Sequence, residues 1–130
     1  QTNILVLVFN LSFCFLSGPS APPANVRGNS TSTSIFVQWG QVPPQYQNGV
    51  ILYYTVTYYR AHYGGFRQRV VVFAPTTQTT LTGLNHNTLY RITVSASTIK
   101  GDGYYSRIYI ATGSNSEVSL YWISIEKENN

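Results

Sequence analysis

Cysteine is almost missing from this chain: Cys14 is the only one among 130 residues, and it precedes the patterned part of the sequence. A lone thiol excludes an intrachain disulfide framework and a cysteine-based zinc site. Methionine is absent, leucine and alanine do not dominate, and no segment repeats apolar residues at the helical period, which argues against a helical bundle. Charged residues make up only 9% of the chain, and acids are the scarcer kind. Between Pro22 and Thr112 the one carboxylate is Asp102, so the paired carboxylates of glycoside hydrolysis are excluded. His62, His86 and Asp102 fall in separate turn regions, which offers no nucleophile, base and orienting group in one place. No HExxH pair, phosphate-binding loop or dinucleotide glycine pattern occurs. The expectation is a chain that is not an enzyme, with no catalytic residue, no metal ligand set and no cofactor.

What the chain does have is β-forming composition: 11 Tyr, 6 Phe and 2 Trp, with many Val, Ile and Thr. Turn residues divide its middle into short alternating runs. Ala24 to Arg27 ends at Gly28-Asn29-Ser30. Ser34 to Trp39 places Ile35, Val37 and Trp39 on one face. After a loop through Pro43-Pro44 and Asn48-Gly49 comes Ile51 to Arg60, with Tyr54, Val56 and Tyr58 opposite Tyr53, Thr55, Thr57 and Tyr59. Gly64-Gly65 turns into Phe66 to Phe73, which Ala74-Pro75 stops. Thr79 to Thr82 is short. Tyr90 to Thr98 sets Tyr90, Ile92, Val94 and Ala96 against Arg91, Thr93, Ser95 and Ser97. Gly101-Asp102-Gly103 then turns into Tyr105 to Thr112.

Several spaced features, taken in order, resemble a fibronectin type III domain: Pro22-Pro23, Ile35-x-Val37-x-Trp39, Tyr54-x-Val56-x-Tyr58, Leu81-x-Gly83-Leu84, Thr88-x-Tyr90-x-Ile92-x-Val94-x-Ala96, and Gly101-x-Gly103 before Ser106. The resemblance implies an all-β, seven-strand, immunoglobulin-like antiparallel β-sandwich without a disulfide. It puts the first, second and fifth strands in one sheet and the other four in the second. The structural core expected from it is Trp39, Tyr54, Val56, Tyr58, Leu84, Tyr90, Ile92 and Val94, with the Tyr90 hydroxyl bonding a backbone group between Leu84 and Asn87. It also implies a binding and spacing module of an extracellular multidomain adhesion protein or cell-surface receptor. The alternative is an accessory domain of a larger enzyme, such as a receptor tyrosine phosphatase, whose catalytic part lies elsewhere.

Charge is concentrated in this middle part. Arg27, Arg60, Arg67, Arg69, Arg91, Lys100 and Arg107 stand against Asp102 alone, a local net charge of +6 that favours anionic partners. Strand parity puts Tyr53, Tyr59, Arg91, Arg107 and Tyr109 on the outer face of the larger sheet, and Arg67 and Arg69 share a parity on the neighbouring strand. Tyr and Arg are enriched in interface hot spots. This face is the candidate for a protein partner at the cell surface or in the matrix. A sulphated glycan, and a merely solvated face whose arginine stems cover exposed rings, are the competing readings. Nucleic acid is not expected, because the arginines lie on strands without a recognition helix.

Two smaller features add hypotheses. Lys100-Gly101-Asp102 resembles the integrin-binding tripeptide of one type III domain, although Gly-x-Gly there also serves a tight hairpin. Asn29-Ser30-Thr31 is an N-glycosylation sequon, expected in the first hairpin turn.

The ends read less clearly. Residues 1–18 contain the apolar run Ile4 to Leu16, which suits a signal-like remnant or a fragment artefact and is short for a membrane span. The domain is expected over residues 19–113, and 114–130 forms an unassigned tail. The expected location is extracellular or at the cell surface, with no membrane span in the domain itself.

Overall fold

Each alternating strand carries one apolar row and one polar row, and burying the apolar rows requires a second sheet laid against the first. The computed structural model describes residues 17–114; Cys14, the apolar run Ile4 to Leu16 and the tail from residue 115 lie outside the described residues. The strands are β1 (Ala24–Ser30), β2 (Ile35–Gly40), β3 (Tyr53–Arg60), β4 (Gln68–Phe73), β5 (Gln78–Leu81), β6 (Leu89–Thr98) and β7 (Gly101–Ala111), with a 3-10 turn at Pro44–Tyr46 between β2 and β3. One sheet has the order β1-β2-β5 and the other β4-β3-β6-β7. All pairs are antiparallel. The sandwich and its sheet partition are those of the resemblance.

Ile35, Val37, Trp39 and Leu81 from the smaller sheet meet Tyr54, Val56, Tyr58, Tyr90, Ile92, Val94 and Ala96 from the larger, with Leu84 and Val42 closing the ends. Ile35, Val37, Val56, Ile92 and Val94 are wholly buried, each stabilising the fold by about 1.5–3 kcal/mol. Trp39 packs against Tyr54 with ring centroids 5.4 Å apart at 60°. Its indole nitrogen is buried without a hydrogen-bond partner among the described residues. Burial pushes the Tyr54 phenol pKa up. Tyr58 is raised first by burial and then by the nearby Tyr90 phenol, and its hydroxyl donates to Gln68 Oε1 at 2.6 Å.

The crossover from β5 to β6 is fixed by Tyr90. Its ring lies in the core while its hydroxyl accepts the Asn85 amide at 2.9 Å. Thr112, also buried, completes the corner: its Oγ1 accepts from the Thr88 amide at 3.0 Å and donates to the Asn85 carbonyl.

Most strand ends shift by a residue or two from the sequence reading, and three shifts have a plain steric or hydrogen-bonding reason. Gly28, Asn29 and Ser30 belong to β1 and not to its turn, pairing with Val37, Phe36 and Ile35. Gly28 is needed because β2 and β7 approach closely: a Cβ there would stand 2.6 Å from the Phe36 carbonyl oxygen and 2.8 Å from Ile110 Cδ1. Thr31 closes the turn instead, its amide donating to the Ser34 carbonyl at 2.9 Å and its Oγ1 accepting the Ser34 amide at 3.0 Å.

The last hairpin is tighter than expected. Gly101 and Asp102 pair with Thr98 and Ser97, so β7 begins at Gly101 and the turn is Ile99-Lys100. In contrast, β4 begins late, at Gln68, because Gly64 and Gly65 sit at φ of 59° and 118° and carry the turn past a fully exposed Phe66.

Ahead of β1, the proline-rich segment is fastened along the start of β7 and the 3-10 turn. Asn48 Nδ2 donates to the Gly18 carbonyl at 3.0 Å, the Ser20 amide to the Tyr46 carbonyl at 2.8 Å, and Ser106 Oγ to the Pro23 carbonyl at 2.7 Å. Pro19 and Pro23 are buried. No helix among the described residues is long and apolar enough to cross a membrane.

Candidate binding face

Register decides which outward side chains become neighbours on the four-stranded sheet. Tyr59 of β3 lies opposite Arg91 of β6, which lies opposite Tyr109 of β7. Arg67, one residue ahead of β4, stacks over Tyr59 from the other side. The next row runs Arg69, Thr57, Thr93, Arg107, and the one after it Val71, Thr55, Ser95, Tyr105. Phe73, Tyr53 and Ser97 end the face.

The arginines are spaced by rings instead of carboxylates. Arg67 and Arg91 share the Tyr59 ring, at 5.2 and 5.5 Å from its centroid. Arg91 also lies 5.6 Å from the Tyr105 centroid, and its Nη2 donates to the Tyr105 hydroxyl at 3.4 Å. Arg107 stands 5.8 Å from the Tyr109 centroid. Partial burial pulls the Arg91 pKa down, but bonds to Tyr105 and Tyr109 and the negative charge that Tyr59 and Tyr105 carry once ionised outweigh it, leaving the guanidinium above its ordinary value. Each guanidinium–ring contact at an exposed site contributes about 0.5–1 kcal/mol and holds the side chain in place while its donors stay available.

Of the candidate face, Tyr59, Arg67, Arg91, Arg107 and Tyr109 form one contiguous cluster with Arg69 beside it, while Tyr53 lies at the opposite end. There Tyr53, Val71 and Phe73 line a shallow groove together with Arg69, Ser95 and Asp102. Val71 and Phe73 are 47% and 72% exposed. Tyr105, Val71 and Phe73 are members of the face that the sequence reading omits. Tyr105 shares its parity with Arg107 and Tyr109, and Val71 and Phe73 share theirs with Arg69, so alternation carried the signal.

The smaller sheet contrasts with this. Its outward side chains include Asn29, Phe36, Gln38 and Thr80, and Arg27 is the only ionisable residue on its three strands, its Nη1 turned to the Asn25 carbonyl at 2.9 Å. Asn29 is exposed on this face, in a strand. In the integrin-like tripeptide, Lys100 occupies the turn and its Nζ donates to the Asn48 carbonyl at 3.4 Å. Gly101 takes φ 135°, and Asp102, inside β7, accepts a hydrogen bond from Ser97 Oγ.

His62 and His86 are exposed in separate turns, and no group of three or more His, Cys, Asp or Glu able to hold a metal occurs among the described residues. A crevice at one end of the sandwich, between Gly64-Gly65-Phe66 and Gly83-Leu84-Asn85, contains neither a carboxylate nor a histidine.

Residues 21–112 match the fibronectin type III domain family, and the chain belongs to it. It is 38% identical over 99 residues to receptor-type tyrosine-protein phosphatase F of Mus musculus, covering 72% of this chain and 5% of that protein. It is 40% identical over 90 residues to protein sidekick of Drosophila melanogaster, covering 68% of this chain and 4% of that one. The chain thus spans a small fraction of these relatives' length. Among solved structures it resembles the chicken CNTN1 FN1-FN3 domains, with a TM-score of 0.67 and 32% identity, covering 75% of this chain and 33% of that one. It is homologous to modules of adhesion proteins and receptor phosphatases, and the comparisons give no catalytic domain in this chain.

Proposed function

We propose that this chain supplies a non-catalytic binding and spacing module of an extracellular multidomain protein, an adhesion protein or cell-surface receptor. In this reading the module spans residues 19–113 and meets a protein partner at the cell surface or in the matrix. The observation that supports it is one-sidedness: four arginines and their tyrosines occupy the outer face of the larger sheet, and Arg27 stands alone on the other. Ring-held arginines have lost much of their rotamer freedom already, which lowers the entropic cost of docking. The test is staining of live cells by a tetramerised full chain. Saturable staining that a protease treatment of the cells abolishes supports the reading; absence of staining on a broad panel of cell types ends it.

Two smaller proposals accompany this one. Asn29, exposed on the opposite face, would carry an N-glycan without obstructing the arginines, and a mass shift on glycosidase treatment of secreted chain measures it. Lys100-Gly101-Asp102 would serve integrin attachment only if Asp102→Glu abolishes cell adhesion to immobilised chain.

A second reading is favoured by the likeness to receptor-type tyrosine-protein phosphatase F. Here the module is an accessory domain of a larger enzyme. Sequencing the transcript on both sides of Gln1 and Asn130 decides it, since a phosphatase or other catalytic domain would be read directly.

A further inference from the structure

We propose that the partner reaches this face as an extended acidic segment lying along β4, with alternate carboxylates on Arg67 and Arg69 and the following apolar side chains on Val71 and Phe73. The inference rests on the binding-module reading above. Along β4 and the residue before it, the outward side chains are Arg67, Arg69, Val71 and Phe73, two cations followed by two apolar groups. Alternate residues of an extended chain repeat at about 6.6–6.8 Å, so a partner strand of pattern acid-x-acid-x-apolar-x-apolar matches all four positions in register. Arg91, which shares the Tyr59 ring with Arg67 from two strands away, adds positive charge at the same end of the face. Guanidinium forks suit carboxylates, and only one acid, Asp102, competes for them among the described residues.

Other occupants fit less well. β4 is an edge strand, paired only with β3, so an extended segment has open access to it. A second copy of the face would set arginine against arginine. A sulphated glycan satisfies Arg67 and Arg69 but has no apolar groups to cover Val71 and Phe73, which are exposed beside them.

The test is fluorescence anisotropy of the full chain with a labelled synthetic peptide in which two alternate glutamates precede two alternate leucines, separated by threonines. Binding is expected to weaken about tenfold in Arg67→Gln and in Arg69→Gln, and measurably in Phe73→Ser, with Arg27→Gln unchanged. A peptide with its leucines replaced by threonine is expected to bind as Phe73→Ser does. Equal losses in Arg27→Gln and Arg69→Gln would overturn the inference by reducing it to net charge. Heparin binding that depends on Arg67 and Arg69, with no peptide binding, would overturn it in favour of a glycan. All the substituted side chains are exposed, and an unchanged melting temperature shows that each variant is folded. If the Arg67→Gln/Arg69→Gln chain still stains cells as the parent does, the binding-module reading stands and this inference fails; if the parent itself does not stain, the reading fails.

Discussion

Pro19 lies directly over Gly103: a Cβ at position 103 would stand 2.7 Å from both the Pro19 Cβ and its carbonyl oxygen. The contact is matched from the other side, where a Cβ on Gly18 would come within 2.6 Å of the Gly101 carbonyl oxygen. These glycines permit two backbones to touch. Gly103→Ala must lift the Pro19 segment off β7 or shift the strand, and is expected to destabilise the domain by about 1–3 kcal/mol. Urea unfolding measures the loss, and faster amide exchange at Ser20, whose bond to Tyr46 would go with it, locates it.

Tyr90→Phe keeps the ring in the core and removes the oxygen that accepts the Asn85 amide. The expected cost is about 1–3 kcal/mol, the penalty of a part-buried donor left without its acceptor. A chemical denaturation midpoint lowered at unchanged slope checks it. A variant as stable as the parent would show that Thr112 alone holds the corner.

The guanidinium–ring contacts on the outer face of the larger sheet are measurable without any partner. A double-mutant cycle with Tyr59→Leu and Arg91→Gln is expected to give a coupling of about 0.5–1 kcal/mol. A coupling indistinguishable from zero would mean that Arg91 is held by Tyr105 and Tyr109 and not by Tyr59.

Stability is expected to fall in alkali. Burial raises the phenol pKa values of Tyr54 and Tyr58 in the folded state, so the folded protein keeps protons that the unfolded chain releases. Their contribution is fully present below the ordinary tyrosine value of about 10 and is lost as the pH rises from there through the raised folded values. Melting temperatures recorded at increasing pH are expected to be level on this account up to about 9 and to fall beyond it. Tyr58→Phe is expected to flatten part of that fall.

The strands were legible because a period of two is hard to mistake: Tyr54, Val56 and Tyr58 cannot be buried together in any other conformation that turns Thr55 and Thr57 to the opposite face. Glycine was less legible. Gly28 and Gly103 look like turn residues in a sequence, yet they lie in strands, where close packing and not chain reversal demands them. The outward arginines followed from parity. Their grouping around Tyr59 did not, since it depends on register, and alternation leaves register open by steps of two residues. Thr112 gave no signal, because its two partners, Thr88 and Asn85, belong to a loop distant in sequence.

The uneven charge of the two sheets gives the module an electrical front and back across a sandwich only about 10 Å thick. Field lines from Arg67, Arg69, Arg91 and Arg107 leave one side, so the acidic partner proposed above would exert a torque on the domain before any atoms meet. Its encounters would thereby be turned face-on, and the arrival rate, more than the lifetime of the complex, is expected to respond to added salt.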